Sequence, residues 1–203
     1  MTLEDSGRFF EDSRTLADRA SLREAIHAAT ADQRAALDRA LIAAALEDGG
    51  GLVVFLDIQL SARAGIEEWL ANHCPPEWTP PPQTGLIAGD LIALGGLPKA
   101  FPAPRFASPE SVDWTGPAWA LASSHLGNRL LLAQIGVPLP PDAQRFLSGG
   151  AMQNYWQRLR ALLAESPGPG GPGAAVAGAC AALSHFQACI DLFVAARPAE
   201  ARG

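Results

Sequence analysis

Lysine is nearly missing from this chain of 203 residues: Lys99 is the only one, and arginine supplies the rest of the basic charge. No Lys/Arg cluster with interleaved aromatics occurs and the formal net charge is −6, which together argue against nucleic acid as a partner. The preference for arginine is that of a GC-rich coding sequence and carries no chemistry. Cysteine is scarce as well. Cys74, Cys180 and Cys189 have neither metal-type nor redox-motif spacing, so reduced thiols are expected, the last two as small core residues of a helix. No run of about eighteen apolar residues appears, so no transmembrane helix and no membrane partner are expected. The opening MTLEDSGRFFEDSR is acidic and lacks the basic-then-apolar order of a signal peptide, so the expected compartment is the cytoplasm. Period-two alternation long enough to demand a sheet is absent too.

What is present is helix-forming. Apolar residues make up 48% of the chain, and alanine and leucine dominate them while β-branched residues are few. The expected architecture is a single all-α domain of six to eight helices over residues 16–197, with a flexible lead-in at 1–15 and a tail at 198–203. Periodicity predicts a helix over 16–48, capped by Asp12 or Ser13 and stopped by Gly49, Gly50 and Gly51. Ile26, Thr30, Leu37 and Leu41 share one face of it, and Arg34 lies near the edge of that face. Further helices are expected at 52–72, 84–94, 116–136, 151–165 and 174–196, with a turn at 142–147. The prolines of HCPPEWTPPP and KAFPAPRFASP make those stretches extended connectors.

Residues 116–136 carry two stripes at helical spacing. Trp119, Ala122, Leu126, Leu130 and Ala133 form a core-facing stripe. Gly116, Ala120, Ser123 and Gly127 form a stripe of small residues. A glycine inside a helix costs roughly 1 kcal/mol against alanine, so close approach of a helix or a flat ligand is its expected compensation. Histidine offers no self-sufficient chemistry. No HExxH pair, zinc-type Cys/His cluster or paired-carboxylate helix motif is present, so no protein-held metal is expected. Ser123, Ser124 and His125 are sequence neighbours, and adjacent helical residues point about 100° apart, which rules out a serine–histidine pair there. His185, beside Phe186 on an apolar face, reads as a core histidine, and His125 as packed elsewhere or solvated.

The segments IHAATADQRAALD, GLVVFL, GPAWALASSHLGNRLLL and NYWQRLRALL, in this order and followed by an Ala/Phe-rich last helix, resemble the bacterial haem oxygenases. The resemblance spans about residues 20–195. It implies an all-α fold that holds haem or a related tetrapyrrole between a proximal helix, here 16–48, and a distal helix, here 116–136. It also implies a reaction in which O2 and electrons from a reductase or ferredoxin open the ring to biliverdin, CO and iron. Leu126 and Gly127 stand on the family's Leu-Gly pair. Ser123 and Gly127 are the residues it puts closest to catalysis. Arg34, His27, Ala120, Ser124 and Arg158 are the cofactor-binding candidates, with His27 and Arg158 as partners for a haem propionate.

Two departures from the family pattern matter. The proximal helix of the family reads L-R-x-x-T-x-x-x-H-x-x-x-D/E, and aligning Thr30 and Asp38 to it puts Arg34 where the iron-binding histidine belongs. Arginine stays protonated and has no lone pair for iron. The distal E-G-S-x-L-G reads here Ala122-Ser123-Ser124-His125-Leu126-Gly127, so Ser123 replaces a glycine. Two expectations follow from different classes. One is a haem-binding enzyme; the other is an inactive relative that binds a bilin or packs against protein.

Overall fold

The computed structural model describes residues 21–46, 51–98, 104–108, 112–134, 139–165 and 170–196. Among them are eight α-helices and no strand. They are α1 (Leu22–Ala29), α2 (Ala31–Leu46), α3 (Gly51–His73), α4 (Thr84–Ala93), α5 (Thr115–Gln134), α6 (Arg145–Ser148), α7 (Gly150–Glu165) and α8 (Gly171–Ala195). The expected all-α class and helix number hold. The lead-in, the tail and the proposed caps Asp12 and Ser13 lie outside the described residues.

The expected helix over 16–48 is two helices. α1 starts after Ser21, whose hydroxyl accepts the Glu24 amide at 3.3 Å while the Glu24 carboxylate accepts the Ser21 amide at 2.9 Å. This reciprocal cap satisfies two amides that the first turn leaves unpaired. The break comes at buried Thr30, whose hydroxyl donates to the Ile26 carbonyl at 2.7 Å, a back-bond that bends helices. Ile26 and Thr30 are fully buried and Leu37 and Leu41 pack against the core, so the face read from the sequence is the buried one.

α8 is the central element and packs on α1, α2, α3 and α5. It is also the one described helix long and apolar enough to cross a membrane, which the search for long apolar runs did not anticipate; half of its most apolar window is buried inside the protein. Its crossing with α5 is made by glycine. A Cβ on Gly116 would run into the Ala175 carbonyl and come within 2.5 Å of the Ala179 amide nitrogen. One on Gly178 would come within 2.9 Å of the Asp113 carbonyl. The first member of the small-residue stripe therefore serves helix packing.

Carboxylates hold the joints between helices. Glu67 of α3 accepts the Gln83 amide at 2.8 Å and the Thr84 hydroxyl at 3.0 Å, fixing the start of α4. Asp90 of α4, fully buried, accepts the Arg145 and Phe146 amides at 3.1 and 2.9 Å and so caps α6. Burial pushes the Asp90 carboxyl upward, against the pull of those two amides. The proline connector after α3 makes one 3-10 turn at Pro76–Trp78, and the Tyr155 hydroxyl of α7 donates to the Trp78 carbonyl at 2.8 Å.

Candidate functional site

One pair of side chains joins α2 to α5 directly. Arg34, half-buried, holds its guanidinium carbon 5.5 Å from the centroid of the Trp119 ring. Trp119 is buried and stands one helical turn before Ser123, on the same side of α5. Arg34 of α2 thus reaches the helix that carries the small-residue stripe. The Arg34 Nε is buried and has no hydrogen-bond partner among the described residues. A buried donor without an acceptor costs about 1–3 kcal/mol, so this atom marks a position where an acceptor is wanted.

The other candidates are spread out. His27 is exposed in the last turn of α1. Ala120 is buried. The half-buried Ser123 hydroxyl has only a long contact of 3.4 Å with the Ala120 carbonyl. Ser124 points to a different side, donating to the Leu121 carbonyl at 2.9 Å and accepting from Arg63 at 2.6 Å. Gly127 lies in α5, but its surroundings and the His125 side chain fall outside the described residues. Arg158, exposed on α7, donates to the Glu77 carbonyl at 2.6 Å and lies 5.1 Å over the Trp78 ring. Arg158 therefore braces the proline connector in this structure, the turn that Tyr155 also holds. Gly116, buried against α8, is not part of a ligand-facing wall.

His185 is the core histidine expected. It lies edge-on to Phe106 with ring centroids 5.5 Å apart, and Cys189 Sγ is 4.0 Å from its Nε2. Burial lowers its basicity, partly offset by a hydrogen bond with the Ala62 backbone. The Cys189 thiol is pushed up to about 11 by the same burial, so it stays protonated and unreactive at neutral pH.

Arg63 is the residue that sequence reasoning missed. It lies in the middle of α3 with no exposed surface. Its Nε donates to Gln59 at 3.0 Å, and Nη2 donates to Ser124 at 2.6 Å and to the Leu121 carbonyl at 3.5 Å. The Phe146 ring lies 4.9 Å from the guanidinium carbon, and Nη1 has no partner. Burial pulls its pKa down to about 10, with the Glu67 charge acting the other way, so the group remains charged at pH 7. The signal was legible as a cation inside the largely apolar run LVVFLDIQLSARAGI, with Gln59 one turn earlier.

A haem iron does not fit the residues at this position. Arg34, which the register puts at the proximal position, has no lone pair to ligate it. A carboxylate does fit, because a guanidinium with an unmet buried donor is its natural partner. Open clefts among the described residues include these two. One, of about 330 Å³, lies between α2 and α8 along Ala40, Ala44, Ile190 and Val194; the other, of about 490 Å³, lies at the far end of α3 beside Trp69 and Trp114. Neither is lined by Arg34 or Ser123. No family model, curated protein or solved structure matches the chain.

Proposed function

We propose that this is a haem oxygenase-like protein that binds a bilin or related tetrapyrrole by its carboxylates, between α1–α2 and α5, without holding iron. The observation that carries the reading is the buried, unpartnered Nε of Arg34, set over Trp119 one turn before Ser123. The motif order and the register that puts Arg34 on the proximal ligand position support it from the sequence side. A propionate would give Arg34 the acceptor that it lacks. Ring opening is not assigned to the protein, since no described residue at this position supplies an iron ligand.

Absorption titrations with biliverdin and with haem test the reading. Biliverdin is expected to bind saturably at micromolar concentration with a shifted long-wavelength band, and Arg34→Met to lose at least about tenfold in affinity, the scale of one charge-assisted hydrogen bond. Arg34→His is expected to bind haem more tightly than the wild type, with a histidine-ligated spectrum. Absence of saturable binding of either tetrapyrrole overturns the reading. A packing role is favoured only at the Gly116 end of the stripe, where α8 already occupies it.

A further inference from the structure

The cleft of about 490 Å³ at the end of α3 has a uniform chemistry. Its walls include Trp69, His73 and Trp114, its polar floor is Asp113, and Gly170 closes one side. Sites for small ligands typically measure about 300–1,000 Å³ and combine aromatic walls with a few placed polar groups, and this cleft has both. The aromatic groups are held in place. Trp69 stacks on His73 with centroids 4.3 Å apart and planes 7° apart, and Phe106 meets Trp69 edge-on at 5.6 Å. Trp114 is backed by Trp78 at 6.2 Å.

The polar groups of the cleft are anchored as well. His73 Nδ1 lies 2.7 Å from the Trp69 carbonyl, which only accepts, so Nδ1 is the donor and Nε2 is the ring nitrogen outside that bond. Asp113 is 5% exposed. Its Oδ1 accepts the Thr115 amide and hydroxyl, both at 2.9 Å, and its Oδ2 accepts the Gly170 amide at 2.9 Å. An ionised carboxylate offers about four lone-pair sites, so Oδ2 retains capacity. Among the described residues no lysine or arginine lines the cleft. The neighbouring cation, Arg158, lies over Trp78 and donates to the Glu77 carbonyl.

Indole rings, a buried carboxylate and a lining without lysine or arginine among the described residues together are the recognition chemistry of an organic cation, which ring quadrupoles attract and a carboxylate neutralises. We propose that this cleft is a binding site for a small organic cation of the quaternary ammonium class. It shares no lining residue with the Arg34–Trp119 pair, so it stands whether or not a tetrapyrrole binds there.

Calorimetric titration with choline, and with its uncharged tert-butyl analogue neohexanol, tests the assignment. Choline is expected to bind saturably and at least about tenfold more tightly than neohexanol, the preference a desolvated cation–π site gives. Trp69→Leu is expected to abolish choline binding while the helical circular dichroism stays native. Asp113→Asn is expected to weaken it, and because Asp113 also ties Thr115 to Gly170, the Trp69 variant decides if the Asp113 variant does not fold. No saturable choline binding, equal binding of neohexanol, or unchanged affinity in Trp69→Leu each overturns the proposal.

Discussion

Arg63 and Arg34 reach α5 from α3 and α2, and the protein treats the two guanidinium groups differently. Arg63 is wholly enclosed and spends Nε and Nη2 on Gln59, Leu121 and Ser124. Arg34 is half-buried, rests on the Trp119 ring, and keeps its buried Nε uncommitted. Trp119 and Leu121 are two residues apart on one helix, so the two arginines approach opposite sides of it. The difference teaches what each contributes. Arg63 ties three elements together and belongs to stability; Arg34 leaves a buried donor open among the described residues, which is what the proposed carboxylate anchor would use.

The comparison breaks most visibly if Arg63 is dispensable. Arg63→Ala is expected to destabilise by about 3–5 kcal/mol in denaturant unfolding, since it leaves a cavity and strands Gln59 and Ser124. Arg63→Met should recover part of that loss by filling the space. A loss as small as that of an exposed residue would remove Arg63 from its structural role. Next in size is the glycine joint between α5 and α8. Gly116→Ala forces a methyl against the Ala175 carbonyl and should cost about 1–3 kcal/mol, read as a lower thermal midpoint.

Arg34 should behave in the opposite way. Arg34→Met gives up a cation–π contact worth about 0.5–1 kcal/mol and removes an unmet donor, so unfolding should change by less than about 1 kcal/mol. The same substitution should reduce biliverdin affinity at least about tenfold. A variant that unfolds readily would show Arg34 to be a structural residue like Arg63.

The smallest effect concerns pH. His185 is buried, and its basicity in the fold lies below that of the unfolded chain, near pH 6.5. The unfolded state therefore binds the proton first as pH falls. The neutral-His185 contribution is full above about pH 6.5 and is lost as pH drops through the lower folded value. The difference in stability between wild type and His185→Gln should shrink between pH 7 and pH 5 in parallel unfolding curves. A difference independent of pH would place the proton elsewhere.

Much of this was readable in advance from local pattern. Helix starts and stops followed the glycines and prolines, and the buried face of Ile26, Thr30, Leu37 and Leu41 came from spacing alone. The start of α1 and the break at Thr30 were also written locally, the first in the SLRE capping box and the second in a threonine back-bond, although the apolar period runs through the break. The site was less legible. Arg34 could be placed at the edge of a buried face, but its contact with Trp119 depends on how α2 and α5 are brought together around α8. Arg158 shared an exposed helix face with other polar residues, and only the folded chain brings the Glu77 carbonyl to it. Gly116 and Gly127 share a spacing, yet the partner of Gly116 is fixed by where α8 crosses, which no window of sequence contains. Arg63 is the sharpest instance, because the acceptors that let a charge be buried come from α3 and α5 together.

The most direct measurement compares biliverdin with its dimethyl ester in an absorption titration of the wild-type protein. If Arg34 waits for a propionate, the free acid binds saturably and the ester at least about tenfold more weakly, and Arg34→Met erases the difference. Equal binding of acid and ester, or binding of neither, would contradict the assignment of Arg34 as a carboxylate anchor.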